Sequence, residues 1–254
     1  MTIFGKYAEF YDSLYQDKNY IFECRVIESI FRKFSGSRPK TILDLGCGTC
    51  AHDTILSRNG YSIIGVDFSA QMLKIAQEKI SQNKLKIKLR KANIQTVRLN
   101  RKFDAVISLF DVMSYQTKDR SFKKVLLTAR NHLKKGGLFV FDFWFAPAVL
   151  KNRPKNKTKV VFAGRGRKVI RKTKVKLNRQ KRTVDILFDT KSYLGKKLLA
   201  ANKELHKLRF FFIEEVKNLL TKSGLSFEKA CSFSGLGKKI TVNDWHILVV
   251  SRRI

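Results

Sequence analysis

The run Thr41-Ile-Leu-Asp-Leu-Gly-Cys-Gly-Thr-Cys50 constrains this chain more than any other segment. An apolar strand reaching Asp44 is followed at once by Gly46 and Gly48, where the backbone can turn sharply and approach a ligand closely. A second strand ends about twenty residues later in Gly65-Val-Asp67, and an acid at that point suits the hydroxyls of a ribose. Phe68 and Met72 follow as apolar walls for a flat base. A third strand ends at Ala92-Asn93-Ile94, adding a polar side chain and an apolar contact near the same crevice.

The rest of the first half keeps this rhythm. Strands are expected at Thr41–Leu45, Ser62–Val66, Ile87–Ala92, Phe103–Leu109 and Leu138–Phe143. Helical patterns fall between them at Asp53–Arg58, Ala70–Ser81 and Ser121–Leu133. Alternating strands and helices require right-handed crossovers and a mainly parallel sheet flanked by helices. The first forty residues read as helical, with Tyr7, Phe10, Tyr11, Leu14 and Tyr15 at three- and four-residue spacing. After Pro147, Lys157–Phe162, Lys168–Leu177, Thr183–Thr190 and Lys203–Phe212 alternate apolar with polar residues, as antiparallel strands with one wet face do. A helix over Ile213–Ser223 capped by Gly224 and a strand over Trp245–Ser251 complete the chain. The expected units are a core over 1–145, a basic antiparallel insertion over 146–212 lying over the carboxyl edge of the sheet as a substrate lid, and a closing segment over 213–254.

Composition adds one unusual feature. The chain has 254 residues and a formal charge of +33. Residues 1–78 balance nine basic against nine acidic residues, so the whole excess lies beyond them. Lys79–Lys102 and Lys151–Arg182 hold nine and fifteen basic residues respectively, with no acid. Such a field favours anionic partners, among them RNA, nucleotides and acidic lipid headgroups, although a Lys-rich solvated surface gives the same numbers. No apolar stretch is long enough to span a bilayer, no secretory leader is visible, and four cysteines suggest no disulfide framework, so a cytoplasmic protein without membrane attachment is expected.

Taken together, the glycine loop, Asp67 and the third-strand end resemble the class I S-adenosylmethionine (SAM)-dependent methyltransferases, whose first motif has the form Asp-Leu-Gly-Cys-Gly-Thr. A dinucleotide fingerprint is a poorer match, since its third glycine would fall on Ala51. The resemblance implies an α/β Rossmann-like class I methyltransferase fold, with SAM as cofactor held by Asp44, Gly46, Gly48, Asp67, Phe68, Met72, Asn93, Ile94 and Leu109. One departure is Cys50, where the family commonly has Gly. Tyr7-x-x-x-Tyr11-Asp12 looks like the first helix of small-molecule methyltransferases, including sugar N-methyltransferases and relatives of glycine N-methyltransferase. That likeness implies both phenols in the cofactor crevice.

Ser108-Leu-Phe-Asp-Val-Met-Ser-Tyr-Gln116 resembles the fourth-strand motif of the same group, which often has His where Asp111 stands. Glu204-x-His206-x-x-Arg209-x-Phe211-Phe212 resembles its C-terminal pattern. By that resemblance, Asp111, Tyr115 and Arg209 would meet the substrate, and His206, Glu204 and Tyr115 are the candidate proton acceptors. Cys47-Gly-Thr-Cys50 has no second cysteine pair, so no metal site is expected.

The expected activity is methyl transfer from SAM to a nitrogen or oxygen of a small molecule. The alternatives are an RNA methyltransferase using residues 79–102 and 151–182, and a non-catalytic SAM-fold binding protein. Only weak, salt-sensitive attraction to nucleic acid is expected of the basic surface, and a homodimer is left open.

Overall fold

A computed structural model describes residues 3–164 and 166–254; Arg165, within the second basic block, lies outside the described residues. Strands β1 (Thr41–Leu45), β2 (Ser62–Asp67), β3 (Ile87–Lys91), β4 (Phe103–Ser108) and β5 (Leu133–Phe145) stand in the order β3-β2-β1-β4-β5, all parallel. The order reverses direction between β1 and β4, so the crevice lies beyond the carboxyl ends of these two strands.

Strand periodicity explains why the strands are apolar throughout. Ile42, Ile63, Ile107 and Val140 enter one layer with Ile27, Ile30 and Phe31 of helix α2 (Tyr20–Phe34), Leu56 of α3 (Ala51–Arg58) and Ala76 of α4 (Ala70–Asn83). Leu43, Val106, Phe139 and Phe141 enter the opposite layer with Phe122, Val125 and Leu126 of α5 (Asp119–His132). Both faces are covered, so alternate positions all have to be apolar. Side chains set the helix starts: Asn19 accepts the Phe22 amide at 2.9 Å, and Ser69 accepts the Met72 amide at 3.2 Å.

The expected N-terminal helical stretch divides into α1 (Ala8–Leu14) and α2, with the residues between them in turns. Two elements were not read from the sequence. Helix α6 (Ala146–Asn152) follows β5, and β10 (Leu225–Ser232) pairs antiparallel with β11 (His246–Arg253), which in turn pairs antiparallel with β5. Gly224 closes the end of the preceding helix by donating its amide to the Thr221 carbonyl at 3.1 Å, although the cap residue itself is Lys222. Helix α7 ends earlier (Ile213–Thr221), and Gly224, at φ +70°, turns the chain into β10.

Strands β6 (Lys157–Ala163), β7 (Arg167–Asn178), β8 (Thr183–Leu194) and β9 (Lys197–Phe211) form an antiparallel sheet. It joins the core where Phe210 and Phe211 of β9 pair with Trp144 and Phe145 at the end of β5. Its inner face packs Val161 and Val169 against Tyr7, Phe10 and Leu14 of the α1 segment. The remainder of β9 therefore presents a free edge beside the carboxyl ends of the parallel strands. Among the described residues, no helix is long and apolar enough to cross a membrane.

Candidate active site

A cavity of about 550 Å³ opens at the crevice, within the size range of small-molecule sites. Asp44, Gly46, Gly48, Asp67, Phe68, Met72, Asn93, Ile94, Leu109, Tyr11 and Tyr115 all line it. They gather here from the carboxyl ends of β1, β2, β3 and β4, from α1 and α4, and from the 3-10 turn after β4.

The glycine loop is held from both sides. Asp67 Oδ2 accepts the Gly48 amide at 3.0 Å, and Oδ1 accepts the Ser69 amide at 2.8 Å. The acid that would meet a ribose thus also fixes the loop and the start of α4. Burial raises its pKa, and these amide hydrogen bonds oppose the rise. Gly46 sits at φ +97°, and a Cβ there would lie 2.6 Å from Val112 Cγ2, so no other residue fits. Cys50 also adopts left-handed geometry, at φ +60°. This accounts for the glycine common in the family at this position: the thiol here tolerates a conformation that glycine takes freely.

Asp12 explains the Tyr-x-x-x-Tyr-Asp pattern. Its carboxylate accepts the Thr49 hydroxyl at 2.7 Å and pairs with Lys79 at 2.7 Å, tying the α1 segment to the glycine loop. Tyr11 lines the main cavity. Tyr7 does not, contrary to the expectation from their four-residue spacing: it is 1% exposed, its hydroxyl accepts from Arg171 at 2.6 Å, and it lines only a smaller recess.

That recess, about 80 Å³, leads off the main cavity past Phe4, Tyr11, Phe110 and Tyr115. Its walls are aromatic, with Tyr7, Tyr15, Trp144 and Phe188 among them, and Asp111 is its one acidic side chain. Asp111 therefore reaches the inner recess rather than the main cavity. An imidazole does come to it, from a distant part of the chain: His246 Nδ1 lies 2.7 Å from Asp111 Oδ1. Burial disfavours the imidazolium, but Asp111 and then Asp142 outweigh it, so His246 is raised to about 9. Asp142 is pushed up to about 8, first by burial and then by the Asp111 charge, and its Oδ1 accepts the Asp111 amide at 3.0 Å.

The three candidate proton acceptors lie in a row, hydrogen-bonded only between Tyr115 and His206. Tyr115 lines the cavity, and its hydroxyl lies 2.8 Å from His206 Nδ1. His206 Nε2 stands 3.4 Å from Glu204 Oε2. His206 and Glu204 lie behind the wall, 0% and 5% exposed, so only Tyr115 can touch a ligand. Burial works against the Glu204 carboxylate, but His206, Asn202 and the amides of Phe4 and Tyr7 more than compensate and hold its pKa low.

Arg209 does not meet the cavity. Its guanidinium pairs with Asp119 at 2.6 Å and with Glu215, which also takes Arg182 at 2.6 Å. It joins β9 to α7 and the start of α5, a structural role that the sequence pattern did not distinguish from ligand binding.

Cys47, Cys50 and Asp53 are buried with their ligand atoms within 4.8 Å of one another. The Cys50 thiol raises the pKa of Cys47, as does burial, while Cys50 itself is pushed up to about 12 by burial and nearby carboxylates against the Cys47 hydrogen bond.

Several cavity residues carry no local sequence signal. Phe4 is pinned when its amide donates to Glu204 at 2.7 Å and its carbonyl accepts the Ser69 hydroxyl at 2.6 Å. Phe110 projects from a left-handed residue at φ +64°, and Leu205 and Lys207 arrive from the free edge of β9.

Asp44 Oδ1 is buried without a hydrogen-bond partner on the cavity wall. Burial and then the Asp53 charge raise its pKa. A ligand with an ammonium group near the glycine loop, a diol near Asp67 and a flat base between Phe68, Met72 and Ile94 fits this donor set. SAM has all three.

Comparison with known proteins agrees. Residues 42–137 match the family described as Methyltransferase domain. A dTDP-3-amino-3,4,6-trideoxy-alpha-D-glucopyranose N,N-dimethyltransferase of Streptomyces venezuelae is 27% identical over 143 residues, 56% of this chain and 58% of that protein. The chain thus aligns with little more than half the length of such relatives. Among solved structures, a S-adenosylmethionine-dependent methyltransferase from Clostridium acetobutylicum superposes with a TM-score of 0.81 at 23% identity, covering 98% of each chain. DesVI of Streptomyces venezuelae gives 0.80 at 22% identity, also covering 98% of each. The fold is that of the class I SAM-dependent methyltransferases.

Proposed function

We propose, on the premise that residues 42–137 form a methyltransferase domain, that this protein transfers a methyl group from SAM to an amine nitrogen of a small molecule. The observation that carries the reading is that the glycine loop, Asp44, Asp67, Asn93 and Ile94 line one cavity with Tyr115, from which the aromatic recess leads off. The relative of 27% identity is by name an N,N-dimethyltransferase of an amino sugar, which supports nitrogen over oxygen.

When bound, SAM supplies an electrophilic methyl group on a good leaving group. The protein's task is then placement, holding the acceptor's lone pair about 3 Å from the methyl carbon. Asp67 orients the ribose side, and Asp44 takes the ammonium end. Aromatic faces attract a protonated amine toward the recess, where the Asp111 carboxylate is already held by His246. The nitrogen must be neutral to attack, so the Tyr115 hydroxyl accepts its N–H, and His206, backed by Glu204, takes the proton onward. The β9 edge, through Leu205 and Lys207, forms one wall of this site.

Calorimetry with SAM tests the cofactor assignment. The wild type should bind in the micromolar range, about −8 kcal/mol. Asp67→Ala should lose roughly 1.5–3 kcal/mol for each charge-assisted hydrogen bond removed. Equal affinity of the two proteins would remove Asp67 from the cofactor site.

A further inference from the structure

The outer face of the antiparallel sheet carries charge that the cavity does not use. In register across it stand Thr158, Val160 and Phe162 of β6 against Lys172, Ile170 and Lys168 of β7. Lys172, Lys174 and Lys176 then oppose Asp189, Leu187 and Asp185 of β8, and these oppose Lys203, Leu205 and Lys207 of β9. Strand alternation puts all of them on one side, away from the buried residues between them. Asp189 pairs with Lys203 at 3.5 Å and Asp185 with Lys207 at 2.5 Å. Lys172, Lys174 and Lys176 remain exposed, without an ion pair among the described residues.

Apolar side chains interrupt this basic face. Val160, Phe162, Leu198 and Leu205 are 46%, 69%, 50% and 54% exposed. Two of them, Val160 and Phe162, belong to β6, an edge strand of the array. Leu194 and Leu199 extend the apolar surface around the β8–β9 hairpin, at 49% and 46% exposure.

We propose that this face docks on an anionic lipid bilayer. Lysines alone would suit any polyanion, and the interleaved apolar groups decide between them. Single-stranded nucleic acid is gripped by runs of aromatic platforms on which bases stack, whereas the large exposed apolar groups of this face are aliphatic apart from Phe162. A bilayer surface takes both kinds of group at once: its headgroup charge attracts lysine, and its interfacial region buries Phe162, Val160 and Leu198. No spanning segment is needed for a protein that lies on the surface. Leu205 and Lys207 stand both on this face and at the mouth of the main cavity, so docking turns that mouth toward the lipid. The consequence that the methyl acceptor is an amphiphile drawn from the bilayer rests on the function proposed above; the docking itself does not.

The test is co-sedimentation of the full chain with phosphatidylcholine vesicles and with vesicles rich in phosphatidylglycerol, alongside fluorescence anisotropy with poly(U) at physiological salt. Binding is expected to the phosphatidylglycerol vesicles only. The triple variant Lys172→Gln, Lys174→Gln, Lys176→Gln should lose roughly a hundred-fold in vesicle partitioning, about five-fold for each lysine. Phe162→Ser should lose about ten-fold on vesicles while leaving poly(U) affinity unchanged. Calorimetry with SAM on both variants shows that each remains folded, since neither change touches the cavity. Wild type that ignores phosphatidylglycerol vesicles, or a Phe162→Ser variant that binds them as wild type does, would overturn the proposal. Tight poly(U) binding at physiological salt, lost in the lysine variant, would assign the face to RNA instead. A wild type that binds these vesicles but not SAM would refute the proposed function and leave the docking surface standing.

Discussion

The Tyr115 hydroxyl and His206 Nδ1 lie 2.8 Å apart, one on the cavity wall and the other fully buried behind it. The two residues come from a 3-10 turn after β4 and from the centre of β9, so the contact exists only once the insertion has docked on the core. It sets a buried imidazole directly behind the cavity wall, with the Glu204 carboxylate 3.4 Å beyond it.

Tyr115→Phe removes the hydroxyl of that contact and almost no packing. Its kcat should fall by about a hundred-fold, the usual scale of a lost general base, while SAM affinity changes by less than about two-fold. His206→Asn should produce the same loss in kcat although it cannot touch the acceptor. Single-turnover kinetics checks both, and a pH–rate profile unchanged in either variant would reduce the pair to packing.

Arg209 separates structure from ligand binding. Arg209→Ala should lower stability by about 3 kcal/mol by leaving Glu215 and Asp119 short of a partner, with Arg182 limiting the damage. Its SAM affinity and the acceptor KM should stay at wild-type values in the folded fraction. Urea unfolding and steady-state kinetics together decide this; a KM effect without a stability loss would restore Arg209 to the substrate site.

His246 sets a pH dependence of stability. Its pKa is raised from the ordinary 6.5 to about 9, so the folded state holds a proton that the unfolded chain has released. Stability from this group is full below pH 6.5 and is lost as pH rises through about 9. Asp142, raised from 3.8 to about 8, acts in the same direction over a lower window. The melting temperature should therefore fall between pH 6.5 and 9, and His246→Gln should flatten that fall while leaving the lower window in place. Thermal scans across this range at fixed ionic strength check it, with an equal slope in the variant as the contrary result.

Much of the site was legible because it is local. Gly46, Gly48, Asp67 and Asn93 sit at strand ends, where the chain's own alternation fixes both the turn and the side of the sheet. The α1 phenols show the limit of spacing arguments. Residues four apart share a helix face, yet Tyr7 meets the antiparallel sheet and Arg171 while Tyr11 meets the cavity, because that face spans two different neighbours. Phe4 and His246 were not legible at all: each reaches its place through a contact more than a hundred residues distant in sequence. Arg209 matched a pattern but not a role, since an arginine beside a cavity and one clamping a helix look alike in sequence.

The central claim is methyl transfer to a small amine, and isotopic labelling tests it most directly. The protein is incubated with SAM labelled in its methyl group and with a cell extract divided into small molecules, lipids and RNA. Mass spectrometry then locates the label. The account requires it on the nitrogen of an amine in the small-molecule or lipid fraction, dependent on Asp67 and Tyr115. Label found on RNA, or transferred equally well by Tyr115→Phe, would contradict it.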